Sequence, residues 1–485
     1  MQRNKDGEQK LFNQFGLFSL LIIFTATTLF AESFSDFKSV QHESFNHYKD
    51  QKDNEFNKYL KDQWREYQAY ITPSFYKEEK PKEITPLRKK KSFDVGPVVK
   101  VNIPQREKIK TKIKTISGEV PKGTTIDFFG RVLSFNKDPK ITSAQFYPQS
   151  QAGIANFFSI LASSNYNTTL DEIYEYQKMM RLNDWGVYLL INKLAQATYG
   201  DKNEANIYAW FLFNKLSYDV KIALNENKNI YLLHYSKIRV YSKPRYTFHS
   251  KYYYILASYN KSEISKIYTY TQEYPNANKA LDFSLDEIPL LAEHMSKKVL
   301  SFEEFATKYE IAFRYNKEII AFMKTYPQVD YSVYFKAPME EVTYQDLLVD
   351  LKKYIDGKKM SQALNFVLHF VQKAFKYERD QEQFGFEKVM FAEETLVYDA
   401  SDCEDRAVLF SYLVEHIFGI SALGIKYSDH MSTALYIPMK GDDIIYKRRR
   451  YVLADPTYIN ANIGQEIAKY RDIEPDSFIK LSKYK

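Results

Sequence analysis

A chain of 485 residues with one cysteine, Cys403, cannot close an intramolecular disulfide. Each folded unit must therefore be held by its own buried apolar core. The composition permits that: 45% of residues are hydrophobic and 27% charged, the balance of an ordinary globular chain. Gly 15 and Pro 16 are too few for a collagen-like or low-complexity polymer. The length predicts roughly three domains. Tyr 41 and Phe 35 favour strands and cores of large residues. The net charge of +7, from 68 basic against 61 acidic residues, is small for this size and carries no clustered basic face, so no nucleic-acid partner is expected.

The N-terminus reads as an export signal. Arg3, Lys5 and Lys10 precede an apolar stretch from Leu17 to Phe30, followed by Ala31, Glu32 and Ser33. Fourteen apolar-dominated residues suit the core of a signal better than a membrane span of about 20. Leu29 stands where a small residue is preferred at a cleavage site. Residues 1–31 are thus a cleaved signal peptide or a retained N-terminal anchor, and the protein is expected in the periplasm or cell envelope. An unpaired thiol is a liability in an oxidising compartment, so its presence there points to chemistry.

The rest divides by pattern. Residues 32–97 combine an amphipathic helical stretch over 34–70 with a linker containing Pro73, Pro81, Pro86 and Pro97 and the basic run Arg88 to Lys91. Residues 98–150 alternate and predict a small β module. Residues 151–260 begin with helical periodicity, clearest over 207–216, and continue with strand-like runs at 221–224, 230–235 and 252–258. Residues 261–344 read as a β-rich connecting module with a helix near 302–312, and 345–485 as the unit that carries the chemistry.

In that last unit three segments stand out. Ser401 and Glu404 match an S-x-x-E capping box, which puts Cys403 in the first turn of a helix, where backbone N–H groups and the helix dipole favour a thiolate. Asp402, Glu404 and Asp405 oppose that lowering, so a further partner is required. The second segment, 424–437, predicts a strand, a turn at Ser428 and Asp429, and a strand opening at His430. The third, 451–457, is a strand ending at Asp455 before Pro456. Antiparallel strands carrying His430 and Asp455 side by side beneath the helix tip would make a nucleophile, a base and its orienting acid. Gln383 is a candidate oxyanion donor. The His and Cys residues show no metal-ligand spacing and there is no Gly-rich phosphate loop, so neither metal nor cofactor is expected.

The pattern D-C-E-x-x-A on a helix, then His before a strand, then L-x-D-P-T resembles the transglutaminase-like superfamily over about residues 345–470, with spacings of 27 (403 to 430) and 25 (430 to 455). The resemblance implies an α+β fold with a papain-like catalytic core. In it Cys403 is the nucleophile, His430 the general base and acid, and Asp455 the orienting carboxylate. Met431 and Ser432 follow the histidine, where members often carry an aromatic residue. The implied activity is thiol-dependent acyl transfer on an amide, as a peptidase, amidase or transglutaminase, with a protein or peptide of the cell envelope as substrate.

A self-comparison adds a candidate second copy. Shifted by 201, Cys403 falls on Lys202, His430 on Asn229, and Leu423 and Ile425 on Ile222 and Leu224; shifted by 198, 451–455 falls on 253–257. Residues 151–260 would then be a degenerate transglutaminase-like domain that cannot perform thiol chemistry. Two other function classes stay open: an envelope binding or assembly protein that keeps the fold without catalysis, and a redox-sensing thiol, which needs exposure of Cys403 but not His430.

Overall fold

The computed structural model describes residues 33–73, 95–103, 123–200, 202–259, 264 and 266–481. The N-terminal segment read as an export signal, the basic run Arg88 to Lys91 and most of the linker lie outside the described residues. The fold is α+β. Among the described residues no helix is long and apolar enough to cross a membrane.

The chain separates into two units, Met1–Asp62 and Gln63–Lys485. In the first, α1 (Ser33–Asp62) has no Gly or Pro to interrupt it and carries side-chain pairs at helical spacing, among them Lys52 with Glu55 at 2.8 Å. The helical reading of 34–70 stops there: in the second unit 64–71 is extended, as β1 (Trp64–Gln68) and β2 (Tyr70–Ile71). Backbone pairing of Trp64 with Tyr270 and Tyr67 with Ile267 outweighs the helix-like spacing of the aromatics.

Residues 98–103 do not join the next β elements. Val99 N donates to Lys358 O at 2.8 Å and Val101 N to Asp356 Oδ1 at 2.8 Å, which stitches this segment to the far C-terminal part. The hairpin β3 (Gly123–Phe128) and β4 (Arg131–Asn136) leads through α2 (Pro139–Ser143) to the helices α3 (Gln151–Ala162), α4 (Tyr166–Met180), α5 (Asp184–Tyr199) and α6 (Asn203–Lys215). From Ile207 to Asn214, α6 is buried on every face, because it packs against α3, α5 and the strands that follow. Those strands are β5 (Val220–Asn225), β6 (Ile230–Tyr235), β7 (Pro244–Phe248), β8 (Lys251–Tyr254) and β9 (Lys266–Tyr270). The sheet runs β1-β9-β5-β6-β8-β7-β2. Only Ala69 separates β1 from β2, yet they sit on opposite edges, so the sheet must curl until its edges meet, as a barrel strapped by 64–71.

Next come β10 (Met295–Glu304) and β11 (Thr307–Asn316), paired throughout around a two-residue turn. The helix expected near 302–312 is absent. Phe302 stacks across the ladder on Tyr309 at 5.2 Å and packs on Phe366 and Phe370, burial that local helix propensity cannot supply. Then follow α7 (Lys317–Lys324), α8 (Tyr331–Lys336), α9 (Glu341–Ile355), α10 (Met360–Lys373), β12 (Lys376–Tyr377), α11 (Asp380–Gln383), α12 (Ala392–Val397), β13 (Ala400–Ser401) and α13 (Cys403–Phe418). The last strands are β14 (Ala422–Lys426), β15 (Met431–Leu435), β16 (Asp443–Tyr446), β17 (Arg449–Leu453) and β18 (Ser477–Lys480). From Cys403 through Val414 α13 is buried without a break, wrapped by α8, α10, α12, β14 and β15.

The two sheets share a layout. The C-terminal order β16-β17-β15-β14-β18 matches β7-β8-β6-β5-β9, every pairing is antiparallel, and each sheet follows a fully packed helix. A shift of 198 maps Asp443 opposite Val452 onto Arg245 opposite Tyr254. Both hairpins turn through two residues of positive φ, Lys447 (48°) and Arg448 (64°) against His249 (45°) and Ser250 (64°). The first hairpin differs: Ala422 opposite Leu435 corresponds to Val220 opposite His234. Leu423 and Ile425 therefore correspond to Lys221 and Ala223, one residue from the Ile222 and Leu224 of the sequence alignment. The β5–β6 turn is longer by one residue and absorbs the difference.

Candidate active site at the start of α13

The cap of α13 lies one residue beyond the expected one. Asp402, extended at φ −107° and ψ −159°, is the N-cap, and Asp405 Oδ2 accepts from Asp402 N at 3.2 Å. Ser401 cannot cap, because its backbone is paired with Tyr377 in the β12–β13 ladder. Cys403 is therefore the first helical residue. The dipole of that first turn acts on its sulfur.

The surroundings are buried and acidic. Cys403 Sγ donates to Glu404 Oε2 at 3.1 Å, a contact that holds the proton on sulfur. Carboxylate oxygens of Asp380, Asp402 and Glu404 lie within 4.8 Å of one another. Of the described residues, these are the ones whose oxygens converge closely enough to hold a cation. Positive charge already comes from Arg406, one turn into the helix. It donates to Ser401 Oγ at 3.1 Å, Gln372 O at 3.1 Å and Phe375 O at 3.0 Å. Burial pulls its guanidinium down to about 10, against the opposing pull of Tyr377, Asp402, Asp405 and Cys403, so it stays charged at neutral pH.

His430 and Asp455 are brought together. His430 directly precedes β15 and Asp455 follows β17, neighbours in the sheet, and His430 Nε2 meets Asp455 Oδ2 at 2.7 Å. The other carboxylate oxygen accepts from Thr457 N at 2.8 Å and Tyr458 N at 3.1 Å, a local turn that fixes the acid's orientation. Tyr470 stacks on the imidazole, 5.0 Å between centroids and 16° from parallel, and its hydroxyl donates to Asp429 Oδ1 at 3.1 Å. With Nε2 held by the carboxylate, proton exchange with a nucleophile falls to Nδ1.

Gln372 of α10 ties the pair to the cysteine helix. Its Nε2 donates to Asp455 O at 2.9 Å, and its backbone carbonyl accepts from Arg406. Because α13 packs on β14 and β15, Cys403 opens the helix lying over the strand that His430 directly precedes. All three residues are at most 3% exposed, so an amide reaches the sulfur only after a local opening. Gln383 Nε2 donates to Ala400 O at 3.3 Å, which commits it to the backbone ahead of the cysteine.

Comparisons with family models, with curated proteins and with solved structures return no match. The functional reading therefore stands on the motifs and on this geometry. Sequence reasoning missed Gln372, Asp380, Arg406 and Tyr470. Arg406 stands beside the D-C-E motif and was visible as a residue type, but nothing local in the sequence links positions 372, 380 and 470 to 403.

Proposed function

We propose that residues 345–481 form a papain-like core of transglutaminase type that performs acyl transfer on an amide through Cys403, His430 and Asp455. The observation that carries this reading is the buried His430–Asp455 pair at 2.7 Å, at the adjoining ends of the neighbouring strands β15 and β17, of which β15 packs against the helix that Cys403 opens. The Sγ proton passes to His430 Nδ1 as sulfur bonds to the carbonyl carbon. The C–N bond then breaks, with that proton leaving on the amine, and a thioester remains. Water or a second amine, deprotonated by His430, attacks the thioester and restores the thiol. Asp455 holds the imidazole and stabilises its charged form. The apolar N-terminal segment behind Arg3, Lys5 and Lys10 supports an exported protein whose substrates are peptides or proteins of the cell envelope.

One observation favours a second reading, a non-catalytic binding or assembly protein. The thiol is 2% exposed and its proton is already held by Glu404. One measurement separates the two: the rate of Cys403 alkylation by iodoacetamide against pH, in the native chain and in His430→Ala. Catalysis requires a plateau below about pH 7 that disappears in the variant. Glu404→Gln, which removes the negative charge beside the sulfur, should move that plateau to lower pH. A rate that follows an ordinary thiol near pH 8.5 in all three chains overturns the catalytic reading.

A further inference from the structure

A cleft of about 420 Å³ opens at the other end of α13, about 18 Å along the helix from Cys403. Its walls include Ser421, Tyr436, Tyr446, Arg449 and Tyr451. The register that relates the two sheets shows what such a constellation binds, because the N-terminal sheet holds the same arrangement with its partners in place.

Tyr436 and Tyr451 correspond to Tyr235 and Tyr253. The first pair of rings stands 5.5 Å apart at 50°, the second 5.6 Å apart at 39°. Arg449 lies over Tyr436 at 5.6 Å, as Lys251 lies over Tyr235 at 5.1 Å. Tyr446 meets Tyr451 edge-on, and Phe248 meets Tyr253 in the same way. Ser421 corresponds to Asp219, since Tyr436 N donates to Ser421 O at 2.9 Å and Tyr235 N to Asp219 O at 3.0 Å.

In the N-terminal sheet the cation and the tyrosine hold carboxylates. Lys251 Nζ lies 2.9 Å from Asp219 Oδ2 and 2.6 Å from Glu273 Oε1, and Tyr253 Oη donates to Asp219 Oδ2 at 2.8 Å. In the C-terminal sheet the aspartate position is Ser421. Among the described residues Arg449 makes no ion pair. Lys447 and Lys480 also line the cleft. Its one acid, Glu415, accepts from Ala422 N at 3.2 Å, and burial raises its carboxyl above the usual range.

We propose that this cleft binds a carboxylate-bearing ligand, which supplies in trans the acid that Asp219 supplies within the N-terminal sheet. Arg449 is the charge partner, Tyr451 the hydroxyl donor, and the Tyr436 and Tyr446 rings pack against the ligand's carbon chain. The proposal stands independently of the chemistry at Cys403.

The test uses the full chain and acetyl-tetraglutamyl amide as probe, with acetyl-tetraglutaminyl amide as control, followed by calorimetry or tyrosine fluorescence. The glutamyl probe should bind, more tightly at low salt, and the glutaminyl control should not. Ser421→Asp restores the internal carboxylate; it should weaken probe binding at least about tenfold while raising the melting temperature. Arg449→Met should weaken binding similarly and leave Cys403 alkylation unchanged. Displacement of the probe by glutarate at similar concentration would identify a small dicarboxylate as the source, and resistance to glutarate an extended acidic peptide. Equal binding of the two peptides, no binding of either, or binding untouched by Ser421→Asp would overturn the assignment.

Discussion

At the scale of single residues, the C-terminal unit concentrates buried charge, and burial sets how that charge responds to pH. Glu393, on α12, accepts from Glu340 N and Thr343 Oγ1, both at 2.7 Å. Burial, reinforced by the carboxyls of Glu340 and Glu394, lifts its carboxyl from 4.5 to about 7. Between those values the folded chain keeps a proton that the unfolded chain has released, so this group lowers stability as pH rises through the window. The slope reaches at most about 1.4 kcal/mol per pH unit. Glu393→Gln should flatten it, as read from urea midpoints between pH 5 and 7. Cys403, His430 and Asp455 were all legible because each sits in a short motif. The residues that tie them together were not, since Gln372, Arg406 and Tyr470 act through contacts between segments far apart in the chain.

At the scale of elements, turn geometry prevails over local propensity. The β10–β11 hairpin reverses at Phe305 (φ 47°) and Ala306 (φ 62°), a left-handed pair that L side chains adopt at a cost. Ala306→Gly should therefore stabilise the protein by about 0.5–1 kcal/mol, visible as a raised melting temperature; a loss of stability would mean the Ala306 side chain contributes packing that outweighs its backbone strain. This hairpin is also where the sequence reading failed. Glu303, Glu304 and Ala306 favour a helix locally, whereas Phe302 gains its burial only when α10 stands beside it. The cap of α13 shifted for a related reason: the β12–β13 ladder takes up Ser401 before the helix can use it.

At the scale of the whole molecule, two sheets that share a five-strand order each follow a helix buried over most of its length, and only the second follows a helix opened by cysteine. The N-terminal sheet is closed by the strap 64–71, whose Tyr67 meets Phe248 edge-on at 4.6 Å. Tyr67→Ala should open that closure and destabilise the chain by about 2–4 kcal/mol in urea unfolding. The alkylation profile of Cys403 should not change, because the strap pairs with β9 and β7 and not with the C-terminal sheet. A changed profile would mean the two sheets are coupled.

The sequence by itself determined the α+β class, the helix read most clearly over 207–216, the strands that border His430 and Asp455, and the cysteine at a helix start. Each is written in local periodicity or in a motif a few residues long. Tertiary structure alone decided the rest. Residues 64–71 became strands because β7 and β9 offered them open edges. The register between the sheets followed from the length of one turn. Around Cys403, Asp402, Glu404 and Arg406 came with the start of the helix itself, and tertiary structure added Asp380 and the Gln372 and Phe375 carbonyls that accept from Arg406.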